Sequence, residues 1–335
     1  MHFVDAHFTD SFYSSDGFDF YFGGAGLGVF DIETTGLGPE KSKIVLGGIL
    51  TPEAGGVRVR QFFSEGAHEE AELLDLYTEA MAGADVLFSY NGDRFDIPFV
   101  NGRLAARHRQ PAFSDCISID MYRVVRSFSD LRSRLPNLKQ KTVENYLGLW
   151  GSREDTISGA DSVSLYYEYI ATKSPKLLEF ILLHNCDDLL QLARLLAIFD
   201  RLDIHEIMFS TGFPVLSGGT SALVDAIRLD PGALSFSGRY RPAPPDFIVF
   251  DEAFRLSLDN EAGTFDISIP CLHEKDLVFV DLAAMGPGFS ALADSPDAGS
   301  GFLVLRRGRT TNYRSVNHLA KLALLYVIEH IAAFH

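Results

Sequence analysis

The sequence predicts an α/β domain built on a mixed five-stranded sheet flanked by helices, followed by a smaller β-rich α+β domain. Three observations lead there. Runs with strand character come first, at VFDIET (29–34), KIVLGGIL (43–50) and VRVRQFF (57–63). Helix-spaced stretches then alternate with two more short apolar runs, VLFSY (86–90) and ISID (117–120). Beyond about residue 204 this interleaving stops, and alternating apolar–polar runs set between turn formers take over.

In chain order, residues 1–27 form a Gly- and aromatic-rich lead. Its GGAGLG (23–28) precedes a strand, whereas a dinucleotide loop follows one, so it reads as a turn. HEEAELLDLYTEAMAGA (68–84) has helical spacing through Leu73, Leu76 and Ala80. IPFVNGRLAARHR (97–109) is a helix with Pro98 in its first turn, where the missing N–H costs nothing. Further helices are expected at about 140–148, 162–173 and 176–203. The first domain therefore spans 28–203 and the second 204–335. In the second, DPGALSFSGRYRPAPPD (230–246) and MGPGFSALADSPDAGSG (285–301) read as loops. Phe254, Leu256 and Leu258 alternate, as do Phe265, Ile267 and Ile269, which predicts a hairpin turning at Asp259–Gly263. A largely apolar helix at about 315–333 closes the chain.

Of the 335 residues, 47% are hydrophobic and 22% charged, a globular balance. No apolar run is long enough to cross a bilayer. Acids stand early where a secretory signal needs positive charge, so a cytoplasmic protein is expected. Cys116, Cys186 and Cys271 are too scattered for a disulfide frame or a zinc site. The net charge of −16 disfavours nonspecific binding to phosphates. Residues 102–141 run against it, with nine basic side chains and three acidic ones. That stretch is either a solvated helical face or a track for a polyanion.

Asp31 and Glu33 lie two apart on a strand, so period-two alternation puts both on one face and Phe30 and Ile32 on the other. Two carboxylates on a buried sheet repel each other, and desolvation sharpens the repulsion. A divalent cation relieves both, and hard oxygen ligands select Mg²⁺ or Mn²⁺. In TTGLGPE, Gly36 and Gly38 let the backbone turn close to a ligand. In SYNGDRFDIPFV (89–100), Asp96 opens a helix, where it serves either as a cap or as a third carboxylate; Asp93 competes, and spacing does not choose. In LLHNCDDLLQL (182–192), the stripe Leu177, Ile181, His184, Asp188, Leu192, Leu195 is apolar except for one His–Asp pair at i, i+4. Asp188 is thus the inward carboxylate, and Asp187 falls on a mixed face within reach of Arg194.

FDIETTGL, YNGDRFDIPF and HNCDD, in this order, resemble the three motifs of the DEDD 3′-5′ exonuclease superfamily, whose fold is ribonuclease H-like. QFFSE (61–65), LPNLKQKTVENYLGL (135–149), YYEYI (166–170) and LLHNCDDL are similar to its YprB-like branch. The resemblance covers about residues 28–200. It implies that Asp31, Glu33, Asp96 and Asp188 bind two divalent metal ions, and that His184 stands in the place of the family's general base. The three-residue gap between His184 and Asp188 departs from the better-known histidine members, which have four, and matches the tyrosine members. Residues expected to contact substrate are Thr34, Thr35, Gly36, Leu37, Asn91 and Phe95, with Arg123, Arg126 and Lys139 from the basic stretch. The implied activity is metal-dependent hydrolysis of single-stranded DNA or RNA, releasing nucleoside 5′-monophosphates from a 3′ end. The alternative is a nuclease-like module that binds nucleic acid or a protein partner without cutting it. Two other features carry less: the C-terminal third has no motif that transfers, and Arg306, Arg307, Arg309, Tyr313 and Arg314 read as an exposed turn or a nucleic-acid grip.

Overall fold

The computed structural model describes residues 1–66, 68–149, 159–250 and 254–331. By contact the chain separates into two units, one of Met1–Asp16 with Gly26–Leu202, the other of Gly17–Ala25 with the residues from Asp203 on. No helix among the described residues is long and apolar enough to cross a membrane.

The first unit runs β1 (His2–Phe8), α1 (Asp16–Phe22, most of it in the second unit), β2 (Leu27–Thr34), β3 (Ile44–Glu53), β4 (Gly56–Phe63), α2 (Glu70–Met81), β5 (Val86–Ser89), α3 (Asp96–Ala105), β6 (Ile117–Asp120), α4 (Met121–Phe128), α5 (Leu131–Arg134), α6 (Gln140–Leu147), α7 (Gly159–Thr172) and α8 (Pro175–Leu195). The sheet has six strands in the order β1-β4-β3-β2-β5-β6. β1 through β2 pair antiparallel, while β5 and β6 continue parallel to β2. The expected mixed sheet is present with one strand more than the five counted from sequence. The extra strand, β1, lies in the lead at 1–27 and pairs with β4 along its whole length. It is an edge strand whose residues alternate between half-buried and exposed, so no apolar run marks it.

β3 is central, and Ile44–Leu50 are all buried, the continuous apolar run expected of a strand covered on both faces. Gly47 and Gly48 sit in its middle because helices approach from both sides. A Cβ on Gly47 would lie 2.8 Å from the Tyr77 ring, and one on Gly48 would overlap the Asn185 side chain. β2 divides its residues between the same two faces. Phe30 and Ile32 join the core with Leu73, Leu74 and Tyr77 of α2 and with Phe99 and Val100 of α3. Asp31 and Glu33 face α7 and α8.

α4 follows β6 without a loop because Asp120 ends the strand and caps the helix, accepting from Tyr122 N and Arg123 N. Sequence spacing does not single out this helix, although Met121, Val124 and Val125 form its buried stripe. The helix expected at 176–203 ends at Leu195 and tightens into a 3₁₀ turn, Leu196–Arg201.

In the second unit a six-stranded antiparallel sheet is joined by smaller antiparallel pairings and a final helix, Tyr313–Ile331. The hairpin forms as expected, with Leu258 opposite Phe265. Two expected loops are structured. Ala233–Arg241 is a strand with alternating burial, and Pro287–Asp294 is a 3₁₀ turn. Apart from Gly238, which pairs inside the strand, their glycines and prolines sit at or between element ends, which a composition count spreads over the whole stretch. The last two residues expected in the final helix lie outside the described residues. No disulfide is present among the three cysteines.

Candidate active site

β2, α3, α7 and α8 bring polar side chains together at the carboxyl end of β2. Glu33 is buried, and Ser162 Oγ from α7 donates to its Oε2 at 2.9 Å. Its Oε1 lies 3.4 Å from His184 Nε2. Asp188 Oδ2, one helical turn along α8, is 3.7 Å from the same nitrogen. One ligand atom each from Glu33, His184 and Asp188 falls within 4.8 Å of the others, close enough to share an ion.

Asp31 flanks this group. Asn185 Nδ2 donates to its Oδ2 at 2.8 Å. Burial, then the charges of Asp96, Asp188 and Glu33, push the Asp31 carboxyl well above the usual carboxylate range, against the pull of Asn185. Asp96 is buried at the start of α3 and accepts from Ile32 N at 3.2 Å. Burial, with help from the charges of Glu33 and Asp120, pushes its carboxyl up to about 7, although the N–H groups of Asp96 and Ile32 favour the anion. These acids therefore act on one another through low-dielectric space. The carboxylates are a set of hard oxygen donors, which fits Mg²⁺ or Mn²⁺, with one imidazole beside them.

Tertiary structure separates the two aspartates that spacing leaves open. Asp93 takes the Ser118 hydroxyl at 2.7 Å and lies 3.8 Å from Arg123, whereas Asp96 turns into the acid cluster. One reading of the helix faces needs correction. Asp187 is 5% exposed, more buried than Asp188, while Arg194 pairs with Asp10. α8 packs on β2, β3 and β4 and also on α6 and α7, so more than one stripe is covered. Asp188 is partly exposed where it borders the cluster.

The basic stretch is also less open than its composition suggests. Arg103 and Arg107 converge on the fully buried Glu70 of α2, at 2.7 and 2.9 Å, and Arg109 pairs with Asp75. Burial would raise the Glu70 carboxyl, but Arg103, Arg107 and Ile44 N–H outweigh it and hold it below its ordinary value. Arg123 and Arg126 remain on the surface of α4 and, with Arg94, Tyr122, Asp93 and Asp120, line a cavity of about 420 Å³. Lys139 is exposed at the start of α6.

The remaining candidates fall around the loop after β2 and the loop before α3. Thr34 Oγ1 donates to Gly36 O at 2.8 Å and Thr35 Oγ1 accepts from Lys43 N at 2.9 Å, so both hydroxyls close the turn. Leu37 at its tip is 87% exposed. Asn91 adopts φ 67° and donates its N–H to Asp120 Oδ1 at 2.7 Å. Phe95 packs against Phe99. Sequence reasoning passes over Asn185, Gln61 and Ser162 as site residues. Asn185 and Gln61 lie inside recognisable motifs, and their burial without charge is the only signal.

A family model described as RNase_H superfamily matches residues 29–199, about half of the chain. Among solved structures, a family B DNA polymerase from the hyperthermophilic archaeon Pyrobaculum calidifontis is similar at 14% identity and a TM-score of 0.45, over 91% of this chain and 51% of that one. The chain thus aligns with about half the length of that polymerase. No curated protein matches the chain.

Proposed function

The chain belongs to the RNase_H superfamily, and on that premise we propose that it is a metal-dependent nuclease of the DEDD type, close to the YprB-like branch, cutting single-stranded nucleic acid from its 3′ end. The observation that carries this reading is the convergence of Glu33, His184 and Asp188 within 4.8 Å, with Asp31 and Asp96 electrostatically coupled to them. Asp31, Glu33, Asp96 and Asp188 would hold two Mg²⁺ or Mn²⁺ ions. Bound there, the ions supply Lewis-acid polarisation of the phosphodiester and stabilise developing oxyanion charge. The protein's own groups do the rest. Ser162 fixes one oxygen of Glu33, which leaves the other facing His184. His184 Nε2 accepts the proton of the attacking water, and the bond to the 3′ oxygen of the preceding nucleotide breaks, releasing a 5′-monophosphate. Leu37, exposed at the tip of the loop after β2, would meet the terminal base by apolar contact.

Incubating the protein with 3′- and 5′-labelled single-stranded DNA and RNA, with Mg²⁺, Mn²⁺ or EDTA, tests this. A metal-dependent ladder shortening from the 3′ end is expected. Measurable binding with intact full-length substrate would make the chain a binding module instead.

His184→Ala is expected to slow cleavage by about 10²-fold without abolishing it, the usual contribution of a positioned base. Its Mn²⁺ affinity should stay within a few-fold of wild type. A loss of affinity matching that of Asp188→Asn would make His184 a ligand.

The cavity lined by Arg94, Arg123 and Arg126 gives the strand a path at the carboxyl ends of β5 and β6, the edge where open α/β sheets bind ligands. Arg123→Gln with Arg126→Gln should weaken binding and flatten its dependence on log salt by about one unit for each phosphate left without its arginine. An unchanged slope would leave these arginines outside the substrate path.

A further inference from the structure

We infer that Gln61 and Asn185 form a positioning relay that fixes Asp31 for metal binding, over a gap that Gly48 keeps open; the inference rests on the metal-dependent reading of the site. Asp31, Gly48 and Gln61 stand side by side across β2, β3 and β4, Asp31 opposite Gly48 and Gly48 opposite Gln61. Residues opposed in this way share a face of the sheet. The middle one has no side chain, and the Asn185 amide from α8 fills the space it leaves. A Cβ on Gly48 would overlap Asn185 Oδ1 and lie 2.8 Å from Leu189 Cδ1.

The hydrogen bonds admit one orientation of both amides. Gln61 Nε2 donates to the main-chain oxygen of Leu182 at 2.8 Å and to Asn185 Oδ1 at 2.8 Å. A main-chain carbonyl only accepts, so Gln61 must present its NH₂ there. Asn185 must then show its oxygen to Gln61 and its NH₂ to Asp31, where Nδ2 meets Oδ2 at 2.8 Å. Gln61 is 2% exposed and Asn185 0%, so water does not compete for these groups. A backbone carbonyl of α8 thereby determines, through two neutral amides, which oxygen of Asp31 is engaged and which is presented to an ion. Partners of this kind behind a ligand typically change metal affinity by about 10–100-fold when removed.

Gln61→Glu keeps the shape but cannot donate to Leu182 O when ionised. Asn185 then turns its NH₂ toward residue 61 and its oxygen toward Asp31, acceptor against acceptor. Gln61→Met keeps the volume and removes the directing groups. Mn²⁺ titration calorimetry is expected to show about 10-fold or greater weakening in Gln61→Glu and a smaller loss in Gln61→Met. Activity in both should recover at saturating Mn²⁺, a rescue that general destabilisation would not give. The second readout needs no metal. The Asn185 side-chain amide signal, identified by its absence in Asn185→Leu, should exchange slowly with solvent in ¹⁵N-labelled wild type and quickly in Gln61→Met. Solvent-rate exchange in wild type, or unchanged exchange and Mn²⁺ affinity in folded Gln61→Met, overturns the relay. Should Gln61→Glu not fold, Gln61→Met decides. Absence of Mn²⁺ binding by wild type would sink the metal reading of the site, and amide exchange would then decide whether the relay exists.

Discussion

Asp31→Asn and Asp188→Asn are each expected to lower cleavage by at least about 10³-fold, roughly 4 kcal/mol of transition-state stabilisation, whereas Asp187→Asn should stay within about tenfold of wild type, under about 1.4 kcal/mol. The adjacent aspartates make this a sharp test, since both leave the same turn of α8. Asp188 Oδ2 lies 3.7 Å from His184 Nε2 and shares the cluster with Glu33. Asp187 is the more buried and has interactions of its own. Its replacement should therefore be read in thermal stability, by about 1–3 kcal/mol if a buried polar group is left unsatisfied. Asp31→Asn should do the reverse. It removes a carboxylate that burial and three neighbouring acids oppose, so the metal-free variant should melt higher than wild type at pH 8 even as it loses activity. Comparable rate losses at 187 and 188, with no loss of stability at 187, would contradict this assignment of the two side chains.

The parts of the site that follow from local periodicity were legible in the sequence. Strand alternation placed Asp31 with Glu33, and helical spacing placed His184 with Asp188; both depend on residues a few positions apart. Periodicity did not choose Asp96 over Asp93; only the resemblance of the motif did, and the contact that distinguishes them, with Ile32, lies 64 residues away in sequence, beyond any spacing rule. The Gln61–Asn185 pair joins β4 to α8 across 124 residues, and neutral amides leave no charge to count. Counting charge misled over 102–141, because the acids that answer Arg103, Arg107 and Arg109 belong to α2. The sheet was legible where strands are buried on both sides, as at β3, and missed where an edge strand is half wet, as at β1. In the second unit the strand Ala233–Arg241 was hidden because its partners, Thr264–Pro270 and Thr220–Asp230, supply the order that its glycine and serines do not.

Stability should report the metal site as clearly as activity does, with a definite dependence on pH. In the fold the Asp96 carboxyl titrates near 7, against an ordinary value of 3.8, and Asp31 is displaced in the same direction. Below the unfolded value both states hold the proton, and neither group costs the fold anything. As pH rises from about 4 to 7 the unfolded chain ionises while the folded site resists, so these two groups withdraw stability over that window. Glu70, displaced downward by Arg103 and Arg107, contributes with the opposite sign, adding stability above its unfolded value and losing it as pH falls. The melting curve of the metal-free protein alone therefore mixes opposing effects. The difference between melting with Mn²⁺ and with EDTA isolates the site, because Glu70 is common to both. An ion binds the ionised carboxylates and offsets their mutual repulsion, while at low pH it must first displace protons. With the ion about 100-fold above its dissociation constant the gain should be about 2.7 kcal/mol at pH 8, roughly 5–10 °C for a unit of this size. At pH 5 it should fall to a small fraction of that. Asp31→Asn should lose most of the gain at pH 8. A metal-induced shift of equal size at both pH values, or one that survives Asp31→Asn, would place the ion elsewhere and remove the physical basis for hydrolysis at this cluster.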